Sequence, residues 1–147
     1  MRFIKTLLYF IVTVLATFLL VSIVGTQLVL ADILSFGLVV SLSDRVSATV
    51  HDILGLATML PILISVTFLL AFVIAETARR VLNGKRNYWY MAAGMTSLPA
   101  SLVLIKTLMG GTVFAAARTG AGMLLIALCG LFGGWLFARL LQKGKPE

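Results

Sequence analysis

From Thr6 to Ala31 the chain runs for 26 residues without one charged side chain. In hydrocarbon every backbone N–H and C=O must find its partner inside the segment, which leaves the helix as the only single-segment solution, and about 20 apolar residues suffice to cross. The basic start MRFIK and the small residue Ala31 after Val29-Leu30 give the run some look of a secretory leader. A cleavable apolar region is only about 7–15 residues long, however, so the run predicts an uncleaved first transmembrane helix over residues 4–29. Three further apolar stretches follow. Of the 147 residues 61% are hydrophobic and 12% charged, about half the charged share of a soluble domain. The expectation is an all-α membrane protein: one integral domain over 1–147, a four-helix transmembrane bundle with helices at 4–29, 45–76, 87–106 and 120–141.

The middle of the chain, ETARRVLNGKRN (Glu76–Asn87), concentrates Arg79, Arg80, Lys85 and Arg86. With apolar runs on both sides it reads as the turn between two membrane hairpins, Asn83-Gly84 supplying the turn chemistry. Arg2, Lys5, Arg79, Arg80, Lys85, Arg86, Arg139, Lys143 and Lys145 fall on one side of such a bundle, and Arg45, Lys106 and Arg118 on the other, nine against three. For short loops the positive-inside rule then sets both termini in the cytoplasm. The net charge of +7 is explained by that distribution against anionic lipid. No basic stripe stands apart from the membrane flanks, so a nucleic-acid partner is not expected. Short loops and small size suit a bacterial inner membrane.

Between Asp32 and Asp44 lie eleven uncharged residues, too few for a helical crossing. Leu34, Phe36, Leu38, Val40 and Leu42 alternate with Ser35, Gly37, Val39, Ser41 and Ser43, the period of a half-buried strand. An interfacial coil or helix accommodates the segment equally well, and the two alternatives stay open. Ser43 or Asp44 can cap the next helix. Arg45–Ala75 can be read as one continuous helix of about 46 Å, kinked at Pro61. In the third helix Tyr88, Trp89 and Tyr90 form an interfacial belt, and Pro99 marks a second kink. Ala78-Arg79 and Gly84-Lys85 recur 60 residues later as Ala138-Arg139 and Gly144-Lys145. The halves do not match upstream, so helix ends on one membrane face account for the likeness.

Three surfaces could carry function. The first is an extracytoplasmic polar group of Asp32, Asp44, Arg45, His51, Asp52, Lys106 and Arg118. On a helix Asp44, Ala48 and His51 share one face while Arg45, Thr49 and Asp52 share the next, and His51 could titrate near neutral pH. Charges that end helices and pair across loops explain the same group. The second surface sets Lys106 and Arg118 around Gly110-Gly111, where backbone N–H groups and two cations could hold a carboxylate or phosphate; interface anchoring is the plainer account. The third is a helix-association face of small residues, Ala93, Ser97 and Ser101 with Gly130, Gly134 and Ala138, whose spacing lets backbones approach within one bundle or between subunits.

What is missing narrows the function. No acidic residue lies inside the charge-free part of any of the four expected helices, Ile53–Ala75 in the second, so no intramembrane proton or cation carrier stands out. The single cysteine, Cys129, cannot form an internal disulfide, and the single histidine cannot make a bis-histidine haem site alone. No catalytic, cofactor or metal set is legible. The expected function is therefore a non-catalytic membrane subunit or assembly factor whose partners are the lipid bilayer and another membrane protein or a second copy. The alternative is a small oligomeric transporter or channel for an anionic or apolar solute, with Arg45, Lys106 and Arg118 near its outer mouth.

Overall fold

The computed structural model describes residues 2–37, 39–82, 85–110 and 114–143. Five α-helices follow one another: α1 (Arg2–Ser35), α2 (Leu42–Leu56), α3 (Leu60–Leu82), α4 (Arg86–Met109) and α5 (Gly120–Lys143), with a short 3-10 turn, Ala115–Arg118, before α5. Four of them, α1, α3, α4 and α5, are long and apolar enough to cross a membrane. The expected Asn83-Gly84 turn, Leu38, Gly111, Lys145 and the rest of the C-terminal tail lie outside the described residues.

The four long helices close a ring in which α1 neighbours α3, α3 neighbours α4, α4 neighbours α5, and α5 returns to α1. Ring contacts near one end join them all. Phe72 stacks on Phe137 with centroids 4.7 Å apart and touches Tyr90 at 5.2 Å, while Phe10 meets both phenylalanines edge-on at 6.4 and 6.0 Å. Ile64, Phe68 and Ile126 fill the centre below. The outer surfaces are apolar: Ile4, Leu8, Leu15, Val66, Leu70, Leu104 and Leu124 all stand exposed. Four hydroxyls of α1, those of Thr13, Thr17, Ser22 and Thr26, are turned inward and buried. Thr13 and Thr17 donate to the carbonyls four residues back, at 2.7 and 2.8 Å, so these hydroxyls enter an apolar core already hydrogen-bonded.

Two expectations are corrected. The helix expected over 45–76 is two helices, α2 and α3, with a break at residues 57–59. Within a continuous helix the Pro61 ring would crowd the Ala57 carbonyl and leave it without a donor. The chain avoids this by starting α3 at Leu60, which puts Pro61 in the first turn, where no intrahelical N–H is missed. The cap of α2 is neither Ser43 nor Asp44 but Ser41. Its hydroxyl accepts from the Asp44 N–H at 3.1 Å, and the Asp44 carboxylate accepts from the Ser41 N–H at 3.1 Å, a reciprocal capping box.

The segment with the alternating pattern forms no strand among the described residues. α1 continues only into its first residues, to Ser35, six residues past the expected end, and finishes in a turn in which Gly37 takes φ +80°. A lone strand has no ladder partner, whereas α1 can continue because α2 folds back along its final turns.

Candidate functional site

α2 folds back on α1 through polar side chains. The Arg45 guanidinium donates to Gln27 Oε1 at 3.0 Å, and the Gln27 amide donates to Thr49 Oγ1 at 3.3 Å. One turn and more along, the Thr26 hydroxyl stands 2.7 Å from Asp52 Oδ2 and 2.9 Å from the Ser22 carbonyl. A hydroxyl has one proton to give, and the charged acceptor makes the stronger bond. Arg45, Thr49 and Asp52 therefore form the α1-facing side of α2, the grouping expected from helical spacing.

The neighbouring face of α2, bearing Asp44, Ala48 and His51, borders a basin of about 690 Å³. Asp52 and Thr26 reach it from below, and Phe114 and Ala115 of the segment before α5 close its far wall. Phe114 lies over Gly25 so closely that a Cβ on that glycine would come within 2.6 Å of the ring. Asp44 ends up at the rim, exposed, with its carboxyl below the ordinary carboxylate value because the Ser41 hydroxyl, and then the Ser41 N–H, donate to it. His51 is exposed on the same rim.

The other sequence-selected residues sit elsewhere. Lys106 stands exposed in the last turn of α4, and Arg118 closes the 3-10 turn; neither lines the basin. Gly110 ends α4 in the left-handed conformation, φ +70°, which glycine adopts without steric cost. The basin is accordingly bordered by acids and a histidine rather than by Arg45, Lys106 and Arg118. Among the described residues no three His, Cys, Asp or Glu side chains gather as a metal set.

The small residues divide between two surfaces. Gly130 and Gly134 of α5 face α4 of the same chain, where Cβ atoms would strike the carbonyl oxygens of Gly94 and Tyr90, and Ala138 is buried below them. Ala93, Ser97 and Ser101 instead line an open apolar groove of about 490 Å³ between α3 and α4. The α4 partners of the glycines are Tyr90, Gly94 and Leu98, one position along from the expected stripe.

Thr26, Gln27, Gly94 and Gly133 are the contributors that reading the sequence missed. The signal for the first two was present, as adjacent polar residues near the end of an otherwise apolar run. Gly133, whose Cβ would meet Thr17 Oγ1, carries no such signal. In comparisons with known proteins, no protein-family model, curated protein or solved structure matches the chain.

Proposed function

We propose that the chain is a multi-pass protein of the bacterial inner membrane, with both termini cytoplasmic. In this reading it works without catalysis as a subunit or assembly factor that holds another membrane protein through α2. The membrane reading is supported by four long apolar helices with exposed leucines and isoleucines and buried hydroxyls, the reverse of a soluble bundle. The orientation is supported by the end of the bundle that carries Lys5, Arg79, Arg80, Lys85, Arg86, Arg139 and Lys143.

One observation carries the partner role. None of the 15 residues of α2 is buried. Its polar side is spent on α1, and Leu42, Val46, Val50 and Leu54, each one turn apart, face outward at 81, 61, 51 and 71% exposure. Ile53 and Leu56 pack against the core beside that polar side, and a helix so attached whose free side is apolar is arranged to be covered. The small-residue faces do less for this role, since Gly130 and Gly134 are already covered by α4.

The test is the native mass of the tagged protein extracted gently from its own membrane, for the wild type and for Val46→Asp/Val50→Asp. The expected result is a defined larger complex that the double variant leaves while its own melting temperature holds. A complex untouched by the two aspartates would refute α2 as the contact. A small oligomer without companions, paired with solute flux in vesicles, would establish the transporter reading instead, although Ile64, Phe68 and Ile126 fill the centre of a single copy.

A further inference from the structure

At the opposite end of the molecule from α2, a groove of about 500 Å³ runs between α1 and α3. Leu7 and Leu69 form its exposed walls, at 49 and 56%, and Phe10 and Phe72 stand at its back. The polar lining gathers toward one end: Glu76, Thr77 and Arg80 of α3, Thr6 of α1 and Tyr90 of α4. Arg79 holds both oxygens of the Glu76 carboxylate, at 3.0 and 2.6 Å, and the Tyr90 hydroxyl donates to it at 3.2 Å. One arginine thus neutralises the carboxylate. Arg80 adds a second contact through Nε alone, at 3.2 Å, and its side chain is 72% exposed. Its terminal nitrogens take no part in that contact. The rim therefore carries one cation in excess, at the end of the bundle where the basic residues gather.

We propose that this groove holds one anionic glycerophospholipid, an acyl chain lying against Phe10 and Phe72 and the headgroup phosphate against Arg80. The proposal rests on the membrane reading above and is independent of the role given to α2. The shape fits an amphiphile rather than a compact anion, because an apolar slot contributes nothing to binding free phosphate. The direction fits as well: the cationic rim is at the basic end and the slot leads toward the middle of the bundle, as a lipid of that leaflet is oriented. A guanidinium offers a planar fork to the phosphate, and a zwitterionic lipid brings a second, positive group that the neighbouring arginines repel. Basic pockets between transmembrane helices select anionic headgroups for this reason.

The experiment reconstitutes the full chain into vesicles of equal parts phosphatidylglycerol and phosphatidylcholine, re-extracts it in mild detergent and counts retained lipids by native mass spectrometry. The wild type is expected to keep one phosphatidylglycerol with a preference of about tenfold, the scale of one to two cationic contacts. Arg80→Gln should reduce that preference to about twofold or less, since Arg79 still neutralises Glu76 and the fold does not depend on Arg80. Val73→Trp, which places bulk on the groove wall, should lower retention of both lipids with an unchanged melting temperature. Lys85→Gln, on the same end but outside the groove, should leave the preference intact. Equal retention of the two lipids, or a preference unaffected by Arg80→Gln, would overturn the proposal. Failure of the chain to float with the vesicles would overturn the membrane reading beneath it, a result distinguishable from loss of selectivity.

Discussion

Gly94 and Gly130 face each other so closely that a methyl group on either would overlap the backbone oxygen of the other. The contact brings α4 and α5 together backbone to backbone, and Gly134 repeats it one turn away against the Tyr90 carbonyl. Between apolar helices in lipid, where no hydrophobic force drives association, such close packing is a main source of attraction.

Gly130→Ala is therefore expected to cost about 1–3 kcal/mol, the range for overpacking a close contact. Gly130→Leu should cost more and prevent α4 and α5 from meeting. Melting of the purified protein in detergent measures both. Retention of wild-type stability by Gly130→Leu would show that the two backbones are farther apart than described.

Phe72 is the ring shared by the four long helices, stacked on Phe137 and touching Phe10, Phe68 and Tyr90. At 5% exposure, Phe72→Ala is expected to cost about 3–5 kcal/mol through lost burial and an unfilled cavity. Phe72→Leu keeps most of the volume and should cost less than half of that. The comparison separates packing from general sensitivity of the helix.

The Thr26 hydroxyl and Asp52 tie α2 to α1, a bond with a charged acceptor worth about 1.5–3 kcal/mol when partly buried. Thr26→Val keeps the shape and removes the donor. Amide hydrogen exchange should then quicken across residues 42–56 and stay unchanged in α5. Uniform protection of α2 in the variant would mean that other contacts hold it.

The capping box at the start of α2 should respond to acid. The Asp44 carboxyl titrates below its ordinary value of 3.8 because Ser41 donates to its charged form. A depressed folded-state value means that the contribution is present above the ordinary value and is lost as pH falls through the folded one. A carboxyl-carbon NMR titration of Asp44 should therefore show a midpoint below 3.8, and Ser41→Ala should move it part of the way up toward the ordinary value, because the backbone N–H at position 41 still donates. A midpoint indifferent to Ser41→Ala would remove the Ser41 hydroxyl as the cause.

Topology is open to a chemical test, since the one native thiol, Cys129, is buried. Ser43→Cys, exposed at the start of α2, should react with an impermeant maleimide added outside intact cells, and Asn87→Cys only after permeabilisation. The reverse labelling would invert the proposed orientation.

Much of this architecture was legible in the chain because its causes are local. A charge-free run long enough to cross, a proline near residue 61, and basic residues collected at alternate helix ends act over one segment at a time. What could not be read is how segments meet. The two-residue alternation after Asp32 suits a strand as well as a helix end, and the choice came from α2 folding back on Thr26 and Gln27, partners far away in sequence. Likewise the small residues of α4 form two stripes one position apart, Ala93–Ser97–Ser101 and Tyr90–Gly94–Leu98. Spacing alone cannot say which one receives α5. That is set by where α5 presents Gly130 and Gly134, because backbones approach closely only where both helices lack a side chain. The polar residues around α2 follow the same rule: their chemistry was visible one by one, but Asp44, His51 and Asp52 border one basin, and Lys106 and Arg118 do not, because of the rotation and docking of α2.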